Sequence, residues 1–315
     1  MYINKSPPSV NYGNFELRGL VTGTFNEQRF YTEGEKNGVK WRRVQFGVKI
    51  YHNAFVYVEL LGSKTPKFKL IYQDPITQKI DKNKQLLVDY EEIHKHKNYK
   101  IHMSVKANLD RNEPKDDELT SYEAAEYIRQ NLREGDSVLI KGSLQITEYK
   151  EKPQEKYIIN GIYLTDRIEF DSIGYEQQAY FTQEIVYVGL GYDEELDKHK
   201  IKANIIYKKD EQLDYIPYEF TIKNECFNEL TEYFYHVPYG SVVKIHGHVN
   251  IYVPVKEIDG YVVVCGAPVK ELVVTGGNAN TLIKARYDEN DFVMMRQSSP
   301  FKEAKMEQIE ELLPF

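Results

Sequence analysis

Aromatic and basic side chains alternate along one predicted strand near the N-terminus, and they are the residues best suited to chemistry in this sequence. Between Val39 and Tyr51 the even positions 44 to 50 are apolar, which is typical of a strand with one buried face. The odd positions then face outward and carry the following residues: Trp41, Arg43, Lys49 and Tyr51. Rings that stack on bases, at about 1 to 3 kcal/mol per base, and cations that follow a phosphate backbone would bind a single nucleic-acid strand.

Three further predicted strands add outward rings and cations. In residues 54–62, Val56, Val58 and Leu60 alternate with outward Phe55 and Tyr57. Two later strands follow the same alternation and supply the remaining candidates for binding a nucleic-acid strand: Lys141, Tyr149, Lys244, His246 and Tyr252.

The sequence lacks motifs for covalent catalysis or nucleotide hydrolysis. It contains no P-loop, no G-x-S-x-G elbow and no H-E-x-x-H. His246 and His248 are two residues apart on one strand face, but no third metal ligand accompanies them. The cluster of Asp288, Glu289 and Asp291 could hold magnesium, although an acidic tail is the simpler interpretation. We therefore predict a protein that is not an enzyme and has no cofactor and no metal site.

Composition and length are those of an ordered chain of about two domains. The 315 residues are 41% hydrophobic and 28% charged, with a formal net charge of −7. No apolar run approaches the length of a membrane span, and the N-terminus lacks a secretory signal, so we expect a cytoplasmic protein without membrane partners. Cys226 and Cys265 are too few and too far apart for a disulfide scaffold or a zinc ribbon.

Two segments share one frame, which indicates an internal repeat. Glycines at 135 and 240, which are 105 residues apart, each begin a run of the form Gly-x-x-Val-x-Ile-x-Gly-x-hydrophobic-x-Ile. In each copy three strand-like runs and a helix-like run precede this frame, and one more strand follows it. The first helix-like run opens with a capping-box pattern, Thr120 with Glu123.

Three strands, a helix and two strands are the order of a five-stranded Greek-key OB barrel. We therefore predict a mainly β chain of two tandem OB-fold barrels, each with a helix between strands 3 and 4. The predicted ranges are a first domain at 1–172, a second domain at 173–275 and a flexible acidic C-terminal tail at 276–315.

The first predicted barrel contains a long insertion, residues 63–119, between its third strand and its helix. Residues 63–106 hold ten lysines against three aspartates and two glutamates, a net charge of +5 in an acidic chain. Such a charge run is either a solvated hairpin or a clamp over a nucleic-acid backbone.

The core of the first predicted barrel resembles that of the bacterial single-stranded DNA-binding proteins. The resemblance lies in the segments GVKWRRVQFGVKI, FVYVELLGSK and LREGDSVLIKGSL, and it extends more weakly to the second copy. Members of that family usually have one barrel per chain and assemble into oligomers, whereas two barrels in one chain are more similar to a divergent, phage-type replication protein. In that case the protein would act in the host cytoplasm.

The C-terminus also resembles the acidic tip by which that family docks proteins of replication, recombination and repair. The corresponding residues of this chain are Glu310, Glu311, Leu312, Leu313, Pro314 and Phe315. This tip has glutamates and two leucines in place of a run of aspartates. A short apolar plug flanked by carboxylates suits a hydrophobic pocket with a basic rim. The alternative is a C-terminal helix, 300–313, that packs its apolar face against a barrel.

These observations predict a protein that coats single-stranded DNA in replication or recombination and recruits partners through its C-terminal tip. Two alternatives belong to other classes: a phage structural or adaptor protein that uses OB folds for assembly, and an accessory subunit of a replication enzyme. The negative net charge does not exclude DNA, because binding depends on where the positive charge lies.

Overall fold

The computed structural model describes residues 7–112, 116–194, 197–223, 228–258 and 261–297, and it is mostly β. The first copy of the repeat and its insertion form eleven strands, two α-helices and a 3₁₀ turn at Tyr90–Lys95. In chain order these elements are β1 (Gly13–Thr22), α1 (Glu27–Phe30), β2 (Tyr31–Lys36), β3 (Val39–Tyr51), β4 (Ala54–Lys64), β5 (Lys67–Gln73), β6 (Ile80–Asp89), β7 (Tyr99–Ile101), β8 (Val105–Asn108), β9 (Asp117–Leu119), α2 (Ser121–Asn131), β10 (Ser137–Tyr149) and β11 (Lys152–Leu164).

The second copy continues with seven strands and two helices among the described residues. They are β12 (Ala179–Asp193), β13 (Lys198–Lys209), β14 (Gln212–Lys223), α3 (Asn228–Tyr235), β15 (Val242–Tyr252), β16 (Val255–Ile258), β17 (Tyr261–Val264), β18 (Val269–Ile283) and α4 (Glu289–Gln297). Strands β16 and β17 pair only with each other among the described residues.

In each copy, five strands pair in a closed circuit of the same order. The first circuit is β1, β3, β4, β11, β10 and back to β1, and its β4–β11 pair is parallel. The second circuit is β12, β13, β14, β18, β15 and back to β12, and its β14–β18 pair is also parallel. Numbered within each copy, both circuits follow the order 1-2-3-5-4, so the sequence repeat is also a structural repeat.

The glycines of the shared frame have matching structural roles in the two copies. Gly135 and Gly240 adopt positive φ angles of 79° and 73°, which L side chains rarely adopt. A Cβ at Gly142 would meet the carbonyl oxygen of Ile158, and one at Gly247 would meet that of Val273. The frame therefore recurs because each circuit needs one left-handed turn and one close backbone approach.

The predicted alternation along the strands of the first copy is confirmed. In β3 the side chains of Val44, Phe46, Val48 and Ile50 are buried, and the outward positions are at least partly exposed apart from Gly47. The capping box at the start of α2 is also present, with Thr120 accepting from the Glu123 amide and Glu123 accepting from the Thr120 amide.

The chain divides into two compact units that differ from the predicted ranges 1–172 and 173–275. Among the described residues, the first unit contains those within 15–143 and 157–179, and the second contains those within 7–14, 144–156 and 180–297. Two polar contacts explain why early segments belong to the second unit. Asn11 exchanges two hydrogen bonds with Ile206, and the Glu155 carboxylate accepts from the Tyr218 hydroxyl at 2.5 Å.

The lysine-rich insertion is folded in its described part. Strands β6, β5 and β7 form a three-stranded antiparallel sheet around a small core of Leu70, Val88, Ile93 and Ile101. Strand β8 then pairs in parallel with β11 and antiparallel with β9.

The region predicted as a flexible tail begins with ordered structure. Strand β18 continues past residue 275 to Ile283, with Gly276 and Gly277 opposite His246 and Ile245 of β15. Helix α4 follows. The C-terminal tip, residues 310–315, and the whole of the alternative helix at 300–313 lie outside the described residues. No helix among the described residues is long and apolar enough to span a membrane.

Candidate nucleic-acid interface

The outward residues of β3 and β4 form one continuous face of the first unit, here called the β3–β4 face. The antiparallel register places Lys49 beside Phe55, Gly47 beside Tyr57, and Trp41 beside Ser63. Tyr57 is 66% exposed, Tyr51 is 44% exposed and Phe55 is 39% exposed. Three predicted binding residues therefore present their rings to solvent from the same pair of neighbouring strands.

A cluster of aromatic rings lies at the hairpin end of this face. The Tyr51 ring is stacked with that of Tyr175, with centroids 6.2 Å apart and planes 12° apart, and Phe170 contacts both rings edge-on. The Tyr175 hydroxyl donates to the Ile50 carbonyl at 2.8 Å, and burial raises the pKa of that hydroxyl. The segment after β11 thereby extends the ring surface beyond the two strands.

Two basic side chains lie on this face, one beside an aromatic ring and one in an ion pair. The Lys49 ammonium lies 5.6 Å from the centre of the Phe170 ring, so a cation and a ring share one site. The Arg43 guanidinium donates to the Glu59 carboxylate at 2.6 Å. Since Glu59 already neutralises Arg43, Lys49 is the better-placed cation for a phosphate.

Trp41 lies at the far end of the β3–β4 face and is partly covered. It is opposite Gly34 of β2, and a Cβ at position 34 would come within 2.7 Å of the indole ring. The ring therefore fills the space above a glycine, as aromatic residues do in sheets. Trp41 is only partly exposed, so it has a packing role beside the stacking role predicted for it.

Two other residues predicted for the first copy lie elsewhere. Lys141 on β10 pairs with Glu16 on β1 at 2.8 Å, and this hydrogen bond raises the pKa of the lysine. Tyr149, although exposed, belongs to the second unit, where the Lys150 ammonium lies 5.4 Å from its ring. Neither residue is therefore part of the β3–β4 face as defined by β3 and β4.

In the second copy, two of the three candidate residues on β15 are partly buried and one is exposed. Tyr252 is held by an ionic network: its ring lies under the Lys198 ammonium, and its hydroxyl is 3.4 Å from Glu271. Lys244 is half-buried. His246 is exposed, with its imidazole over Gly276.

The strand pair of the second copy that corresponds to β3–β4 is β13–β14, and its outer side is covered at the hairpin end. Phe292 of α4 contacts Tyr215 with ring centroids 4.8 Å apart, and Met295 and Tyr287 pack with Ile206. Arg296 also lies over the Tyr215 ring, at 4.4 Å from its centre. The outer side of the corresponding strand pair therefore differs between the two copies. Its rings are exposed on β3–β4 in the first copy and covered by α4 on β13–β14 in the second.

Carboxylates near the C-terminus serve as helix caps. The Asp288 amide donates to the Asp291 carboxylate at 2.8 Å, and the Asp291 amide donates to Asp288 at 3.1 Å. Within the described part of the chain, no group of three or more His, Cys, Asp or Glu side chains could hold a metal ion.

Phe170 and Tyr175 were missed by the sequence reasoning. They lie after the last strand of the first copy, in a segment without strand periodicity, and only their aromatic character marks them. His52 joins the same cluster and its imidazole is 2.9 Å from the Asp171 carboxylate.

These features define a mostly β protein whose first unit exposes a surface of rings and cations. The chain belongs to the YorF family, which it matches over residues 74–312. No curated protein matches it. Among solved structures, the wild-type single-stranded DNA-binding protein from Thermus aquaticus is 10% identical, with 88% of this chain and 94% of that chain covered and a TM-score of 0.37. A deletion mutant of the same protein is 10% identical, with coverages of 89% and 97% and a TM-score of 0.39.

Proposed function

We propose that this protein binds single-stranded DNA through the β3–β4 face of its first unit. The observation that carries the proposal is the open row of Tyr51, Phe55 and Tyr57 with Lys49 beside it. Stacking of bases on such rings is tolerant of sequence because every base has a π-face, and lysines alongside supply the counter-charge for the backbone.

In this proposal each circuit of strands is an OB-type barrel. The order 1-2-3-5-4 with a parallel pair between strands 3 and 5 supports that assignment in both copies. The second barrel does not bind DNA with its β13–β14 side, because α4 covers Tyr215 and Ile206 there.

The proposed role is to coat and protect DNA strands exposed in replication or recombination, without catalysis. The proposal also includes recruitment of replication and recombination proteins by the C-terminal tip, Glu310 to Phe315. An apolar end next to two carboxylates is the support for that part, since it suits a basic-rimmed hydrophobic pocket.

The test is a titration of the full chain with oligo-dT at low salt. Binding is monitored by the fluorescence of Trp41, the only tryptophan. We expect the emission to change on binding, because the indole lies on the proposed face. The logarithm of affinity should fall linearly with the logarithm of salt concentration, with a slope of about −0.7 per phosphate contacted. Absence of binding at low salt contradicts the proposal.

A further inference from the structure

We propose that the lysine-rich insertion is a second contact surface for the backbone of the same DNA strand and lengthens the binding site beyond the β3–β4 face. The inference rests on the proposed function and deepens it. The lysine arm, defined here as residues 63–106, is the surface concerned.

The acids of the lysine arm already have partners within the arm, so they do not neutralise its remaining lysines. Asp89, Glu91 and Glu92 pair with Lys67, Lys64 and Lys95 at 2.8, 3.1 and 3.6 Å.

The other two acids of the arm accept backbone hydrogen bonds. Asp74 accepts from the amides of Thr77 and Ile76 at 2.7 and 2.9 Å, and these bonds lower its pKa. Asp81 accepts from the Asn83 amide at 3.0 Å and lies 3.8 Å from Lys84.

Five lysines of the arm form no ion pair with any described residue, and all five are exposed: Lys69, Lys79, Lys82, Lys97 and Lys106. The arm has five more lysines than acids, a net charge of +5, and these five side chains are the cations of the arm without an ion-pair partner among the described residues. An excess of unpaired cations on one folded module of an acidic chain is the electrostatic pattern that attracts a polyanion.

The sheet of the arm carries two of these cations, Lys69 and Lys82, at exposed positions. One side of β5 packs Leu70 into the small core, so its neighbours Lys69 and Ile71 lie on the open side. A register shift between Ile71 and Tyr72 leaves residues 82–84 of β6 without partners on β5. The Gln85 side chain donates to the Lys82 carbonyl at 2.6 Å across this bulge, and Lys82 within it is exposed.

The arm also follows directly from the ring surface. Strand β4 carries Phe55 and Tyr57 at one end and continues through Lys64 into β5. At about 3.3 Å per residue, Tyr57 is roughly 23 Å from Lys64 along the strand. A nucleic-acid strand that follows β4 away from the hairpin therefore reaches the arm after passing Trp41, which is opposite Ser63.

The experiment compares four proteins by titration with dT oligonucleotides of roughly 8 and roughly 30 nucleotides, lengths chosen to fit one barrel and to exceed it. They are the wild type, the neutralised variant K69Q/K79Q/K82Q/K97Q, the charge-preserving variant K69R/K79R/K82R/K97R, and the pair-removal control K67Q/D89N/K95Q/E92Q. The control replaces four side chains of the same arm and leaves its net charge unchanged.

We expect the neutralised variant to bind the long oligonucleotide at least tenfold more weakly and with a salt slope shallower by up to about 2.8, at about 0.7 per lost contact. Its affinity for the short oligonucleotide should stay within twofold of wild type, and the arginine variant and the control should bind both lengths as wild type does. Circular dichroism checks that all four proteins are folded.

Equal binding of the long oligonucleotide by the neutralised variant and the wild type would overturn the inference and leave the proposed function intact. The lysines would then form a solvated face. Failure of the wild type to bind either oligonucleotide would overturn the proposed function itself, so the two failures are distinguishable.

Discussion

Removal of the Tyr57 ring is the most direct test of the ring surface. Tyr57 is the most exposed ring of the β3–β4 face, and it lies over Gly47, where a Cβ would be 3.6 Å from the ring. Because the side chain is outside the core, we expect Tyr57→Ala to change the free energy of unfolding by no more than about 0.5 kcal/mol.

Its effect on DNA binding should be much larger. Loss of one stacked base costs about 1 to 3 kcal/mol. At about 1.4 kcal/mol per tenfold change, this corresponds to a dissociation constant roughly 5 to 150 times that of wild type. Fluorescence anisotropy with a labelled dT oligonucleotide at fixed salt measures the change, and urea denaturation measures stability.

Two control variants separate stacking from other effects. Tyr57→Phe keeps the ring and should bind within twofold of wild type, whereas a loss equal to that of Tyr57→Ala would assign the effect to the hydroxyl. Tyr235→Ala removes an exposed ring, 76% against 66% for Tyr57, from α3 in the second unit and should leave affinity unchanged. Unchanged affinity in Tyr57→Ala would refute the assignment of the β3–β4 face.

Two further predictions concern stability. Burial acts to raise the pKa of Glu123, but hydrogen bonds with His94 and Thr120 hold that pKa below its usual value. Because its folded-state pKa is lowered, the ionised Glu123 stabilises the fold fully above about pH 4.3, and this stabilisation is lost as pH falls through the folded-state pKa. Glu123→Gln should therefore flatten the acid limb of a plot of unfolding free energy against pH. The Glu271 carboxylate is 7% exposed and lies 2.9 Å from the Lys198 ammonium. Glu271→Gln would leave that ammonium without its charged partner, so it should lower the free energy of unfolding by about 3 kcal/mol, measured by urea denaturation. A loss under about 1 kcal/mol would contradict a stabilising ion pair.

Strand periodicity predicted the parts of the fold where one face is buried. Val44 to Ile50 alternate inward and outward as their sequence indicates, because a sheet with a single buried face imposes a period of two. The capping box at Thr120 is equally local and was predicted from four residues.

Features that depend on tertiary contacts could not be predicted in this way. Gly276 and Gly277 favour a break in a strand, yet β18 passes through them because β15 supplies partners on the adjacent edge. Trp41 was predicted as an outward ring, but its cover over Gly34 requires knowledge of the β2–β3 register. Phe170 and Tyr175 join the ring surface only through contacts with Tyr51, which lies far away in sequence.

The cover that α4 forms on the second copy has a consequence for how a duplicated module can diverge. The outer rings of the first copy are open, whereas Phe292 and Met295 of α4 cover Tyr215 and Ile206 in the second. One nine-residue helix is thus enough to give the same strand pair an open outer side in one copy and a covered one in the other. Truncation after Ile283 would remove α4, and a titration of the shortened chain with oligo-dT would test whether the uncovered β13–β14 side can bind a nucleic-acid strand.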